Sequence, residues 1–210
     1  MTLPVLQCLT LDGISLSHAE QVRALCAAGA ETIQLRMKQA DDADVAAVVA
    51  ACLPVCRATK CRLIVNDRVD VALRTGADGV HLGKLDMAWT DAAARAAGRL
   101  CIGGTVNSAA DAEAAVAAGV LDYVGVGPFR MTPTKQNLAP VLTPADWQAI
   151  LRILGDLPAY AIGGIGPADI AGIRARGLHG AAVCARLYRD GAIARNYQQF
   201  MEAWHGSPGR

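Results

Sequence analysis

Short aliphatic and β-branched runs alternate with alanine-rich stretches along the whole chain, and this alternation limits the fold more than any other feature. Eight runs have strand character: Val5–Thr10, Thr32–Arg36, Arg62–Asn66, Gly79–Leu82, Leu100–Gly103, Tyr123–Gly127, Ala159–Gly163 and Gly180–Cys184. Helix-forming segments lie between most of them, among them Ser17–Ala28, Asp42–Arg57, Ala109–Ala118 and Pro167–Ala175. The strand runs are apolar on both faces, as parallel strands covered by helices must be. Repeated βα units indicate α/β. Eight of them in 210 residues predict a single-domain (β/α)8 TIM barrel over residues 1–210. A doubly wound sheet would place a glycine-rich dinucleotide loop after its first strand, and Leu11-Asp12-Gly13-Ile14-Ser15-Leu16-Ser17 does not fit one. Gly29, Gly76, Gly119 and Gly177 each follow a helical run and read as C-terminal caps.

Composition narrows the partners. A net charge of +1 argues against nucleic acid or a membrane surface as an obligatory partner. No apolar run reaches the roughly 18 residues of a membrane span, and Met1 to Thr10 lack the basic segment of a signal peptide. Cys52, Cys56 and Cys61 are close in sequence but have no second ligand pair. They read as reduced core or helix-face thiols rather than zinc ligands, which places the chain in the cytoplasm.

In such a barrel the active site lies at the C-terminal ends of the strands. Strand two ends Gln34-Leu35-Arg36-Met37-Lys38, so Gln34, Arg36 and Lys38 share one face. Strand three ends in Asn66 and Asp67, and strand four runs through His81 to Asp86. Asp67 and Asp86 can converge above adjacent strands as ligands for Mg²⁺, a hard cation. Each could instead cap the helix that follows. His81, between Val80 and Leu82, reads as a hydrogen-bonded structural histidine. The stretch Gly163-Gly164-Ile165-Gly166-Pro167 after strand seven forms a glycine turn ahead of a helix, suited to an anion. Strand eight then delivers Cys184, Ala185 and Arg186; Arg186 is either a phosphate contact or a surface arginine. Between Gly127 and Pro144 runs an irregular loop carrying Arg130, Thr132, Thr134 and Lys135. Its length marks a lid or binding loop, and its hydroxyls and cations suit a phosphorylated ligand.

These pieces, in this order and spacing, resemble the thiamine-phosphate synthase family over nearly the whole chain. The resemblance implies a transferase that joins the diphosphate ester of 4-amino-5-hydroxymethyl-2-methylpyrimidine to a thiazole phosphate and releases pyrophosphate. It implies that Gln34, Arg36, Lys38, Asn66 and Lys135 hold the pyrimidine diphosphate, with Arg36, Lys38 and Lys135 in the catalytic step. It implies that Asp67 and Asp86 bind Mg²⁺. Thr132, Thr134 and the amides near Gly164, Cys184 and Ala185 take the thiazole phosphate. The loop is expected to close over the substrates. The partners are small molecules, with neither nucleic acid nor membrane.

The chain departs from the family pattern in three places. Thr105 stands where the family often has Ser, which keeps the hydroxyl of a substrate-binding position. Met37 stands where Glu is common. Ala185 replaces a Ser and loses its hydroxyl. The related thiazole tautomerases use a histidine shortly after strand five, where this chain has Asn107. A non-catalytic binder of thiamine phosphate would have no need of Asp67, Asp86 and Lys135.

Overall fold

The computed structural model of the chain describes residues 3–131 and 139–206. Strands β1 (Leu6–Leu9), β2 (Thr32–Leu35), β3 (Arg62–Asn66), β4 (Gly79–Leu82), β5 (Cys101–Val106), β6 (Tyr123–Val126), β7 (Ala159–Ile162) and β8 (Gly180–Val183) are all parallel. They close in sequence order into a barrel, with β8 paired back to β1. Helices α1 (His18–Ala27), α2 (Asp42–Ala58), α3 (Val69–Thr75), α4 (Trp89–Ala96), α5 (Ala109–Ala118), α6 (Pro144–Leu154), α7 (Ile170–Ala175) and α8 (Ile193–His205) each follow a strand. This is the (β/α)8 barrel that the alternation predicts. Among the described residues, no helix is long and apolar enough to cross a membrane.

Local chemistry sets the helix ends. Ser17 and Glu20 form a capping box at the start of α1, and Thr143 and Asp146 form another at α6, where Pro144 occupies the first turn. Gly76 and Gly119 end α3 and α5 in the left-handed conformation (φ 73° and 62°). Two elements differ from expectation. β5 continues past Gly103 to Val106. Its glycines look like a strand end, but they remain in the ladder opposite Tyr123 and Val124. A Cβ on Gly104 would stand 2.8 Å from the Leu121 side chain and 3.0 Å from Trp89, so glycine serves close helix packing there. The expected helix Pro167–Ala175 is divided. Asp169 N bonds Gly166 O at 3.0 Å, which makes Pro167–Asp169 a 3₁₀ turn ahead of α7.

Strand side chains alternate between two cores. Outward residues such as Ile33, Leu63, Val65, Val80 and Leu82 are fully buried under the helices. Each such aliphatic side chain contributes roughly 1.5–3 kcal/mol on burial. Inward residues fill the barrel unevenly. Toward its N-terminal end lie Cys101, Tyr123 and Tyr160, the two phenol rings meeting edge to face at 5.4 Å. They fit because Gly103 and Gly180 stand beside them. A Cβ on Gly103 would approach Tyr123 Cζ to 2.2 Å, and one on Gly180 would approach Tyr160 Cε1 to 2.7 Å. A polar chain crosses this interior. Gln34 donates to Gln7 at 3.3 Å, and Gln7 donates to the Tyr123 hydroxyl at 2.9 Å. His81 lies 3.3 Å from that hydroxyl and 3.1 Å from Thr105 Oγ1. Toward the C-terminal end inward residues such as Gly125 and Ala182 are small.

Candidate active site

Those small residues leave a cavity of about 520 Å³ at the C-terminal mouth of the barrel, a volume typical of small-molecule sites. Leu9, His81, Gly125 and Ala182 line it from the strands. Arg36, Thr105 and Asn107 add polar walls. The turn from Gly163 to Asp169 and the segment Cys184-Ala185-Arg186 complete it on the β7–β8 side. Expected ligand contacts Thr105, Gly164, Cys184 and Ala185 therefore share one cavity with Arg36. His81 is buried and hydrogen-bonded, as its strand position predicts, and it also faces this space.

The β7–β8 side is braced from the loop after β6. Phe129 N and Arg130 N donate to Ile162 O and Gly163 O at 2.8 and 3.0 Å. The Arg130 guanidinium forms a two-pronged pair with Asp169, one prong at 2.5 Å. Asp169 also accepts from Gly166 N at 2.9 Å. Burial alone would raise its carboxyl. The Arg130 hydrogen bonds and the Gly166 amide outweigh that and hold it below the usual carboxylate range. Arg130 thus serves the turn, and the Gly166 amide is already used. Gly164 is left-handed (φ 66°), and a Cβ there would stand 3.0 Å from Arg130 Cβ. Burial pushes the Cys184 thiol up to about 11, so it presents as a neutral thiol at neutral pH.

The cationic and acidic groups gather at the ends of β2, β3 and β4. Asp67 adopts a left-handed backbone (φ 67°), while its amide extends the ladder to His81 O at 2.8 Å. Asp86 accepts from the Gly83 amide at 2.6 Å. Burial lifts the Asp86 carboxyl above its usual range, and the adjacent Asp67 carboxyl adds to the shift. Two carboxylates this close repel each other, and oxygen donors in that state suit a small hard cation. Lys38 Nζ reaches Asp67 Oδ2 at 2.5 Å, so the strand-two cation and the acidic pair occupy one place. Lys84, in the same motif as Asp86, turns away to Asp111 at 2.6 Å.

Asn66 is buried, and its Nδ2 has no hydrogen-bond partner among the described residues. A buried donor in that state costs about 1–3 kcal/mol, which a ligand acceptor would recover. Gln34 is buried deeper, donates to Gln7 and does not line the cavity. Thr132, Thr134 and Lys135 lie outside the described residues.

Sequence reasoning missed the support behind Arg36. Thr10 Oγ1 accepts from Arg36 N at 2.9 Å and lies 2.9 Å from His18 Nδ1. His18 Nε2 is 3.0 Å from Asp12 Oδ1, and the other Asp12 oxygen is 3.7 Å from Arg36 Nη1. The signal was present: Thr10-Leu11-Asp12 alternates polar groups past the end of β1, as Gln34-Leu35-Arg36 does along β2. Asp169 was also missed. Its partner Arg130 is 39 positions away in sequence, and no local pattern joins them.

Comparison with known proteins agrees with this geometry. Residues 8–187 match the family model described as thiamine monophosphate synthase. The chain is similar to a thiamine-phosphate synthase of Bacteroides fragilis, 40% identical over 186 residues that cover 87% of this chain and 91% of that protein. It is also similar to the structure of a thiamine phosphate pyrophosphorylase from Pyrococcus furiosus. The TM-score is 0.85 and the identity 28%, covering 97% of this chain and 96% of that one. A 3-hexulose-6-phosphate synthase at 16% identity and TM-score 0.67 shares the fold alone.

Proposed function

The chain belongs to the thiamine monophosphate synthase family, and from that premise we propose how its barrel mouth carries out the transfer. The activity is that of thiamine-phosphate synthase, a transferase. The substrates are the pyrimidine methyl diphosphate and the thiazole phosphate, and the products are thiamine phosphate and pyrophosphate. One observation carries the assignment of roles: a cluster of carboxylates and cations at the β2–β4 ends adjoins, through Arg36, a cavity whose wall is largely the segments after β5 to β8.

The diphosphate belongs at the β2–β4 ends. Arg36 and Lys38 supply positive charge, and the Asn66 amide, without a hydrogen-bond partner among the described residues, supplies a donor. Lys135, carried by the loop after β6, is assigned to the same diphosphate. The closely placed oxygens of Asp67 and Asp86 fit Mg²⁺. Bound there, Mg²⁺ would neutralise charge on the departing diphosphate. The thiazole phosphate belongs to the cavity, against the Gly164 turn and the Cys184–Ala185 amides, with Thr105 on the opposite wall. Thr132 and Thr134 are assigned to the same phosphate.

The chemistry needs no protein nucleophile. The bond between the pyrimidine methylene carbon and the diphosphate oxygen breaks, and its electron pair leaves with pyrophosphate. The aminopyrimidine ring spreads the positive charge left on the methylene carbon. The thiazole nitrogen then donates its lone pair to that carbon, forming the thiazolium. Positioning and charge stabilisation carry the rate. Purified protein incubated with both substrates and Mg²⁺ is expected to yield thiamine phosphate and pyrophosphate, read by mass. Consumption of neither substrate under these conditions would refute the reading.

A further inference from the structure

At the opposite end of the barrel from the active site, three thiols meet between the helical layer and the strands. Cys26 lies near the end of α1, Cys56 near the end of α2, and Cys61 directly before β3. Cys26 Sγ and Cys56 Sγ are 3.9 Å apart, and all three sulfurs lie within 4.8 Å of one another. Their residues are 3%, 0% and 4% exposed. The neighbours in sequence, Cys52, Cys56 and Cys61, are therefore not the group that forms in space. Cys26, thirty positions before Cys56, takes the place of Cys52.

The Cys26–Cys56 spacing suits a ligand set. Sulfurs about 2.3 Å from one metal ion stand about 3.8 Å apart in a tetrahedral shell and about 4.0 Å apart in a trigonal one. The observed 3.9 Å falls between the two values. Thiolates select soft d¹⁰ cations over Mg²⁺ or Ca²⁺. Charge narrows the choice further. Three thiolates around a monovalent ion would leave a net charge of −2 in a buried place, whereas a divalent ion leaves −1. Among the described residues, no histidine or carboxylate joins the group, so the shell has three protein ligands and an open fourth position.

We infer that Cys26, Cys56 and Cys61 form a binding site for a soft divalent d¹⁰ cation such as Zn²⁺ or Cd²⁺, separate from the catalytic mouth. Binding forms three metal–sulfur bonds and releases the thiol protons to solvent. A filled site would tie the end of α1, the end of α2 and the start of β3 together.

The test uses the reduced, metal-free full-length protein, titrated with Cd²⁺ and separately with Zn²⁺ against a competing chelator. One equivalent of Cd²⁺ should bind with a thiolate-to-metal absorption band and raise the melting temperature. Cys26→Ala should weaken that binding at least about tenfold, while Cys52→Ala should leave it unchanged. X-ray absorption on the wild-type Cd²⁺ complex, which needs no variant, should read three sulfur neighbours. An oxygen-dominated shell, no thiolate band at one equivalent, or equal binding by wild type and a folded Cys26→Ala would each overturn the site. Thiamine phosphate synthesis by the metal-loaded and metal-free forms, assayed with Mg²⁺, reports separately on the catalytic reading.

Discussion

Asp67 must meet two demands at one position. Its backbone is left-handed at φ 67°, a region that Asp and Asn tolerate better than other non-glycine residues. Its carboxylate belongs to the acidic pair with Asp86. The two demands separate by substitution. Asp67→Asn should keep its melting temperature near that of the wild type and lose turnover by at least about a hundredfold, as expected when a charge-stabilising group is removed. Asp67→Val should lose turnover to the same extent and also about 1–2 kcal/mol of stability, because a β-branched residue is strained there. Steady-state kinetics beside thermal unfolding would read both; full activity of Asp67→Asn in metal-free buffer would remove the cation assignment. Asn66 makes the opposite trade. Its buried amide donor lacks a partner among the described residues, so Asn66→Leu should unfold no more easily than the wild type while KM for the pyrimidine diphosphate rises. A melting temperature that falls by several degrees would mean that the amide is satisfied in the free enzyme. Lys135→Ala should slow the chemical step at saturating substrates rather than weaken thiazole phosphate binding, which single-turnover measurements distinguish.

The loop after β6 meets the turn after β7 through the pairing of Arg130 with Asp169. Because folding holds the Asp169 carboxyl below its ordinary range, the sign of its pH dependence is fixed. Its stabilising contribution is fully present above the unfolded-state carboxylate pKa. It is lost as pH falls through the lower folded-state value. Urea unfolding followed from neutral pH into the acid range should therefore show a smaller acid-induced loss in Asp169→Asn than in the wild type. Equal acid sensitivity would assign the loss to other carboxylates, Asp111 and Asp146 being the nearest comparisons, since both are also held low. Elements such as these were legible in the sequence to different depths. The helix ends at Gly76 and Gly119 were legible, because a cap is set by a few adjacent residues. The Arg130–Asp169 brace and the Thr10–His18–Asp12–Arg36 support join separate βα units. Only the pairing of β1 with β2 and of β6 with β7 brings those residues together.

At the scale of the whole molecule, the barrel itself was legible because its period is written in every βα unit. The acidic and cationic half of the candidate site was legible as a cluster because each strand end carries it in two or three adjacent residues. The size of the cavity was not, since it depends on which glycines face inward. Two related chemistries are expected to part here. Thiazole tautomerisation needs a group that exchanges protons near neutral pH, and Asn107 cannot provide one. Its side-chain amide instead donates to Gly127 O at 2.5 Å. The protein should release pyrophosphate from its substrates while leaving a thiazole isomer unconverted. Efficient isomer conversion without pyrophosphate release would reverse the assignment.

Along the barrel axis, Gly103 faces two rings already in contact with the space it leaves, whereas Gly125 faces open volume. A Cβ on Gly103 would fall 2.5 Å from the Tyr123 hydroxyl and 2.6 Å from His81 Nδ1. On Gly125 the nearest atom is His81 Cε1 at an ordinary 3.4 Å. One methyl group would therefore damage folding at the first position and only trim the ligand space at the second. Along its length the same tube is divided into a part that sets how long the enzyme survives and a part that sets which molecules it accepts. Selection, natural or in the laboratory, could alter substrate choice at the mouth without first having to rescue the scaffold.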